Sequence, residues 1–535
     1  MTGFQSGMKK IKVYSACLIT VLAFTPLAYS QEKPAVVMEA AAALGGLDVI
    51  NQVENITMIG YGQWLYQFGG ANITGSEHAP LKWQAANDMR RIYDLGNDRF
   101  QQLERRNFLF PFAASGGHNF SLQNLILDGD IAYSIGGLFG GNAINREPEY
   151  ASSPLYVDGV YMRRMWMLNN PVVLVRTLLE EDTIISNVRE QGTETLIDVR
   201  LPQSYEFSIG FEKQSGLPSW IRWSHPQPNL GQINLTTYFT GYVPIDNLLL
   251  PLGYNTELDW REQDYFKIYV DNYIINGEIE DVSAPASIRN APELVKSPAP
   301  QITAAEAGEG VWRLNTGTIV FEFEDHLTLY ELGNPNGLAV IEAARNLVPG
   351  KPVTEVIVSH GHFDHMQGIR DAIAEGITVI ARRDNEGLLR EMATNDAPDF
   401  PDHLELNPAP LNFIPVDEHL RLQDSQMTVD VYWDRANIHM ADALFAYVPE
   451  QNIFVEGDMA TAAEEWQWWG DNYLDNIEYY GLEVDTLAPV HMPIMAHEAA
   501  VQMVGEGVAR AREHCAAELE KGNYFAGCPV QSKRF

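Results

Sequence analysis

The sequence predicts two domains in series: a β-rich domain built on an antiparallel sheet, and behind it an α+β domain whose strands and helices stack in layers. Three observations carry this. Between about residues 36 and 285, apolar and polar residues alternate with the period of strands. From Phe321 onward a strand, a helix and a buried apolar strand follow one another, the order expected of layered α/β structure. The last of these runs straight into Ser359-His360-Gly361-His362-Phe363-Asp364-His365, which crowds three imidazoles and a carboxylate at the end of a strand, where α/β sheets collect ligands.

At 535 residues the chain exceeds what one hydrophobic core usually supports. Lys9, Lys10 and Lys12 precede the apolar run Val13 to Phe24, and Ala28-Tyr29-Ser30 then offers a small-x-small pattern before Gln31. This is the tripartite order of a secretory signal peptide over residues 1–30, and Pro26 interrupts the run before it reaches the about 20 apolar residues of a membrane span. A periplasmic or secreted location is expected. Formal net charge is −35, and loss of the three leader lysines makes it −35 − 3 = −38. A surface that acidic repels nucleic acid and anionic lipid. Behind the leader only Cys515 and Cys528 remain, a pair that an oxidising compartment would join. Cys515 also shares one helical face with Val501, Val504, Val508, Ala511 and Leu519, as an ordinary core residue would.

The β-rich domain, residues 31–285, opens on an Ala-rich segment ending in Leu44-Gly45-Gly46, read as a short helix, and Ile56 to Trp64 follows as a strand. Pro171 to Val175 is an inserted helix. Tyr205, Phe207, Ile209 and Phe211 then fall on one strand face and Glu206 and Ser208 on the other. A Lys213-Gln214-Ser215-Gly216 turn leads into the strand Trp220 to Trp223, and Phe266, Ile268 and Val270 continue the alternation. Strands joined by turns imply an antiparallel meander. His78, His118 and His225 lack ligand spacing and read as surface or packing residues. In its pattern and its Leu44-Gly45-Gly46 opening this half resembles the periplasmic lipoprotein-carrier fold, which implies a curved sheet over helices able to hold an apolar ligand. The rival role is a brace for the second domain.

Residues 286–301, with Pro292, Pro298 and Pro300 among Ala and Ser, have linker composition. The second domain spans 302–535. Phe321 and Phe323 alternate with Glu322 and Glu324, Asp325-His326 turns, and Leu327 to Leu332 returns as a strand, which leaves His326 on a solvated turn. Gly333 to Gly337 breaks the strand, Leu338 to Leu347 reads as a helix, and Val353 to Val358 is the buried strand before the histidines. Asp396 to His403 is polar and proline-broken, a loop expected near the mouth of the site, and His403 and His419 read as non-ligands. Trp466, Trp469, Tyr473, Leu474, Ile477, Tyr480 and Leu482 recur at helical spacing, with Trp468 and Tyr479 off that stripe and toward the opening.

Burying His360, His362, Asp364 and His365 in one loop is costly unless something satisfies them. A metal would. Residues two apart can turn to one centre while Asp364-His365 turns to another, so the spacing suits two adjacent cations. H-x-H-x-D-H after an apolar strand resembles the signature of the metallo-β-lactamase superfamily, and later segments resemble it in order: Asn437-Ile438-His439 with Asp442, Tyr447-Val448-Pro449, Asn452 to Asp458, and Thr486 to Pro493 around His491. The resemblance spans about Val311 to the C-terminus. It implies a four-layer αββα sandwich in which His360, His362 and His439 bind one metal, Asp364, His365 and His491 the other, and Asp458 bridges them. By spacing, His497 rivals His491, but His491 directly ends the Leu487 to Val490 strand.

Two positions depart from the superfamily pattern. Glu331 stands where Asp is usual, and the residue before the third-histidine pair is not the usual Gly. Imidazoles and carboxylates without thiolate suit zinc, two per chain, with iron or manganese as alternatives. The implied reaction is hydrolysis of an ester, lactone, lactam or related bond by a metal-bound hydroxide, with Asp364 as the catalytic carboxylate. Asp458 points away from the lactamases, which generally lack a bridging Asp. The carrier-like first domain favours an apolar or lipid-like small molecule. An iron-dependent redox enzyme on the same scaffold and a non-catalytic carrier are the competing readings.

Overall fold

The computed structural model describes residues 33–66, 75–78, 81–109, 121–136, 144–146, 159–291, 301–437, 439–460, 470–522, 528, 532 and 534–535. Residues 1–32, which include the expected signal peptide, and His118, Ile438, Trp466, Trp468 and Trp469 lie outside the described residues.

The β-rich half forms one antiparallel sheet of thirteen strands. Each strand pairs with its neighbours in sequence, except that Ile144–Arg146 and Ile184–Gln191 do not pair with each other and form the two edges, and the first strand, Asn55–Leu65, pairs with the last, Gln263–Ile275. That pairing joins two meander arms edge to edge. The alternation noted above decides which face is buried: Phe207, Ile209 and Phe211 of Glu206–Glu212 are buried, as are Phe266, Ile268 and Val270. Against this face pack the helices Ala35–Leu44, Val160–Leu168 and Pro171–Leu179. The last begins at Asn170, whose side chain accepts from the backbone N–H groups of Val172 and Val173 ahead of a proline in the first turn. Trp166 fills the space over the sheet, edge-on to Trp64, Trp223 and Phe266. Among the described residues the covered face is therefore occupied by the chain's own side chains.

Ala286–Arg289, inside the stretch of linker composition, is a helical turn whose Ile288 is buried against Val282, Ala284, Ile92 and Ile126. Residues 292–300 lie outside the described residues.

The second half contains two sheets. One has seven strands, from Ala304–Gly308 through Leu327–Tyr330 and Val353–Ile357 to Phe413–Val416, antiparallel at first and parallel from Leu327–Tyr330 onward. The parallel joins need crossovers, and the first is the expected helix, Gly337–Leu347, capped by Asn336 onto Ala339 N–H. The second sheet has six strands, His419–Gln423 to Met495–Ala496. Phe321, Tyr330 and Ile357 of the first meet Val431, Ala446 and Val455 of the second in a shared core. Tyr473, Ala500 and Val504, from the helices Asp471–Tyr480 and His497–Glu520, cover the far side of the second sheet with Phe445 and Phe454. Cys515, buried on the latter helix, is disulfide-bonded to Cys528, with Cα atoms 5.6 Å apart.

A single buried apolar cluster runs from the first half into the second. Trp260 stacks obliquely on Phe363 with ring centroids 5.7 Å apart, and Asn229 donates to the Phe363 carbonyl at 3.0 Å. The Asp396 to His403 loop has contacts that the sequence did not name. It docks on the first domain, where Asp399 accepts from Ser224 and Gln232 at 2.7 and 2.9 Å and Phe400 packs edge-on to Tyr161.

Candidate metal centre

The seven residues singled out in the sequence come from four separated segments and meet between the ends of the two sheets. Val353–Ile357 delivers Ser359 to His362, and a single 3-10 turn, Phe363–His365, swings Asp364 and His365 round beside them. This tight path requires glycine at 333, where a side chain would collide with the Asp364 carbonyl oxygen. His439 sits on the loop after Thr428–Trp433, Asp458 just past Ile453–Glu456, and His491 just past Thr486–Pro489.

His360, His362 and His365 are at most 2% exposed. Nitrogen and oxygen donors of His360, His362, His439 and Asp458 lie within 4.8 Å of one another, and so do those of Asp364, His365 and His491. Asp458 stands between the two sets. Its Oδ2 is 2.9 Å from His439 Nε2, 3.5 Å from His360 Nε2 and 3.2 Å from His365 Nε2, and its Oδ1 is 3.2 Å from His491 Nε2. His491, with its side chain 41% exposed, is the open side of the cluster.

The donors converge as a cation would require. His365 Nδ1 is held by Glu331 Oε2 at 2.7 Å, which leaves Nε2 as the lone-pair nitrogen. That lone pair faces His491 Nε2 at 3.3 Å, Asp458 Oδ2 at 3.2 Å and Asp364 Oδ2 at 3.4 Å. Acceptors aimed at one another repel unless a proton or a metal lies between them. Burial pushes His360 down to about 3 and His362 well below the usual histidine range, so both rings are neutral, the form that ligates. Burial also disfavours charge on His365 and His491, but the carboxylates Asp364, Glu331 and Asp458 raise His365, and Asp458 carries His491 up to about 9. For Asp458 the neighbouring imidazoles outweigh burial and hold its carboxyl well below the usual range, whereas burial raises Asp364. This donor set fits divalent cations of the nitrogen- and oxygen-loving kind.

Both departures from the superfamily pattern resolve locally. Glu331 reaches His365 with its longer side chain, from a backbone held at φ 64°. Gly457 makes room, since a Cβ there would lie 2.8 Å from Glu331 Oε1 and 2.7 Å from Ser359 Oγ. Before His439, Ala436 takes φ 58°, a region costly for an L-residue. Asn437 offsets that cost: its side-chain oxygen accepts from the N–H groups of His439 and Met440 at 2.8 and 3.1 Å. Asp434, fully buried, accepts from Asn437 and Asn476, tying the loop to the helix Asp471–Tyr480.

Sequence reasoning passed over Asp434, which lies outside the quoted motif segments, and named Asn437 only as part of the His439 segment, without its supporting role. An Asp-x-x-Asn pair just ahead of the histidine was the available signal. The other histidines have their own partners: His497 Nδ1 is 2.8 Å from Tyr473 Oη, His419 pairs with Asp430, and His403 with Glu375. Tyr479 lies under the Arg435 guanidinium. Of the aromatic stripe, Tyr473 is buried in the helix core.

Residues 312–427 match the metallo-beta-lactamase superfamily. None of the curated proteins matches the chain. Among solved structures, a metallo-beta-lactamase from Pontibacter korlensis is 13% identical over 38% of this chain and 98% of that one, with a TM-score of 0.31. The metallo-beta-lactamase FIM-1 from Pseudomonas aeruginosa, in its mono-zinc form, is 19% identical over 39% of this chain and 96% of that one, with a TM-score of 0.30. The inverting sec-alkylsulfatase Pisa1 from Pseudomonas sp. is 15% identical over 42% and 44% of the two chains, with a TM-score of 0.30. From the match at 312–427, the C-terminal region is a metallo-β-lactamase superfamily domain, and the protein that carries it is a metal-dependent hydrolase.

Proposed function

We propose that the protein is an exported dinuclear zinc hydrolase that opens an ester, lactone, lactam or related bond in a small molecule. The observation that carries this reading is the convergence of His365 Nε2, His491 Nε2 and the Asp458 and Asp364 carboxylates on common points beside the His360, His362 and His439 rings. His360, His362 and His439 would hold one cation and Asp364, His365 and His491 the other, with Asp458 placed to serve both. The helices on either side of the paired sheets correspond, in this reading, to the outer layers of an αββα sandwich.

When bound, two such cations polarise a carbonyl oxygen and lower the pKa of water toward 7. The protein's own groups then set geometry and proton traffic. Asp364, whose carboxyl is raised by burial, orients the attacking water and accepts its proton at a carboxylate oxygen. Glu331 fixes the His365 tautomer and so keeps Nε2 turned inward. His491, on the open side, borders the route for substrate. No helix among the described residues is long and apolar enough to cross a membrane. The acidity of the chain weighs against nucleic acid as substrate.

The test is metal content per chain together with turnover of chromogenic esters, lactones, cephalosporins and phosphodiesters, with Asp364→Ala as control. Two zinc ions per chain and turnover of a carbonyl substrate, lost in Asp364→Ala, are expected. Full activity in Asp364→Ala, or a single iron with redox turnover, would overturn the reading.

A further inference from the structure

We propose that Arg313 is the positioning residue of His491, holding from the first sheet of the metal-binding domain the two peptide groups that aim this imidazole at the Asp364, His365 and His491 position. The inference deepens the hydrolase reading and rests on it. It starts from a difference among the ligands. His360 Nδ1 lies 2.8 Å from Ser359 Oγ and His365 Nδ1 lies 2.7 Å from Glu331 Oε2, so each of these rings is steered by a partner on its Nδ1. His491 Nε2 faces Asp458 Oδ1 at 3.2 Å, and among the described residues nothing holds its Nδ1. The direction of this ring is left to its backbone.

That backbone is the end of the strand Thr486–Pro489. The strand pairs with Ile453–Glu456 on one side, and Val490 N–H continues the ladder to the Glu456 carbonyl at 3.2 Å. On the other side Met495–Ala496 pairs with Thr486 and Leu487 and stops there, so it offers no N–H group to the carbonyls of Pro489 and Val490. Arg313 supplies them. Its Nε donates to the Pro489 carbonyl at 2.8 Å and its Nη2 to the Val490 carbonyl at 2.5 Å. A planar fork on two successive carbonyls fixes both peptide planes, and the second of these planes carries the His491 N–H.

Arg313 lies on the strand Val311–Leu314, two residues after Val311, which shares its strand face and is buried in the core between the two sheets. Its side chain thus spans from one sheet to the other. The turn that follows closes on the same point: Gly317 takes φ 94°, and a Cβ there would lie 3.0 Å from the Val490 carbonyl oxygen. Among the described residues Arg313 is in no ion pair, although the chain has 71 acidic residues to 36 basic ones. Its N–H groups go to backbone carbonyls instead, the third being that of Leu314 at 3.4 Å. Hydrogen bonds from a charged donor are the stronger kind, and here they are spent on the segment that ends in His491. Arg313 acts on the centre through His491 and is not itself a ligand.

Zinc titration of the metal-free full chain against a chromophoric chelator tests this. His491→Ala and His439→Ala identify which of the two binding constants belongs to which position. Arg313→Met is expected to lower the constant that His491→Ala removes by about 10- to 100-fold, as for loss of other groups that orient a metal ligand, and to leave the constant that His439→Ala removes within about 2-fold. Arg313→Lys, which keeps the charge and loses the fork, should recover at most part of the loss. Equal falls in both constants, no fall in either, or full recovery in Arg313→Lys overturn the assignment. Should Arg313→Met fail to fold, Arg313→Lys decides: a loss confined to the His491 constant upholds the assignment, and wild-type constants overturn it. If the wild-type chain takes up fewer than two cations, the dinuclear hydrolase reading fails, and the imidazole nitrogen NMR spectrum of the metal-free protein decides Arg313 separately. The His491 signals, assigned by their absence in His491→Ala, should shift or broaden in Arg313→Met while those of His360 and His365 hold. Unchanged His491 signals, or equal changes in all the rings, remove Arg313 from this role.

Discussion

Glu331 Oε2 and His365 Nδ1 lie 2.7 Å apart in a fully enclosed hydrogen bond, at the position where the superfamily pattern carries a shorter acid. The extra methylene is absorbed by the left-handed backbone at Glu331 and by the missing side chain at Gly457. Partners of this kind orient an imidazole and raise its basicity as a ligand, and losing one typically costs 10- to 100-fold in metal affinity. Glu331→Gln is therefore expected to weaken binding at the His365 position by about that factor while leaving the fold intact. Competition with a chromophoric chelator measures it, and an unchanged affinity would remove Glu331 from the site.

Metal removal should act on stability as well as on turnover. Converging acceptors around Asp458 repel one another, and a ligand bound to the folded state alone stabilises it by about 2.7 kcal/mol at one hundred times its Kd. Chelation is expected to lower Tm by several degrees, with re-addition of zinc restoring it. Differential scanning calorimetry with and without chelator reads this out, and coincident melts would refute it.

Asp434 predicts a pH dependence. Burial raises its carboxyl to about 8 against an ordinary value of 3.8, despite hydrogen bonds from Asn437, Asn472 and Asn476. A raised folded-state value means that the folded protein binds this proton more tightly than the unfolded chain. Its contribution is fully present below pH 3.8 and is lost as pH rises through about 8. Each unit within that window corresponds to about 1.4 kcal/mol at most. Asp434→Asn, which mimics the protonated acid, should flatten the fall of Tm between pH 5 and 8, leaving the share due to Glu456, also raised by burial to about 8. Melting curves across that range decide it.

Trp260 and Phe363 form a contact between the two domains. Truncating a buried aromatic costs about 3 to 5 kcal/mol, and Phe363 sits between two metal-site residues, so Phe363→Ala should lose metal affinity as well as stability. Trp260→Ala removes the same contact from the other domain, together with the indole donor to Glu391. Urea denaturation with metal titration should show both variants weakened, with Trp260→Ala weakening metal binding although it lies on the other domain. If only Phe363→Ala affected the metal, the first domain would not brace the loop.

Much of this was legible along the chain because it is local. Strand alternation at Phe207 to Phe211 and at Phe266 to Val270 needs only period two, and the helix Gly337–Leu347 needs only an Asn cap and an apolar stripe. The four chemically loaded residues at 360–365 declare themselves by density alone. The partners of the loop Asp396 to His403 were not legible, for the opposite reason. Its polarity and prolines say that it is not a regular element, and they cannot say which surface receives it; Gln232 and Ser224, more than 160 positions away in the chain, do.

The sequence by itself determined the two-part β-rich and α+β organisation, the metal-seeking motif and the candidate residues of the centre, since periodicity and ligand type are properties of short segments. Tertiary structure alone decided how those segments meet. It turned His365 Nε2 toward Asp458 and His491, let Glu331 stand in for a shorter acid, and set Asn437 on Asp434 behind His439. It also carried Trp260 from the first domain against Phe363 of the metal loop. Those relations depend on packing between residues far apart in the chain, and no local pattern encodes the direction in which a side chain will find its partner.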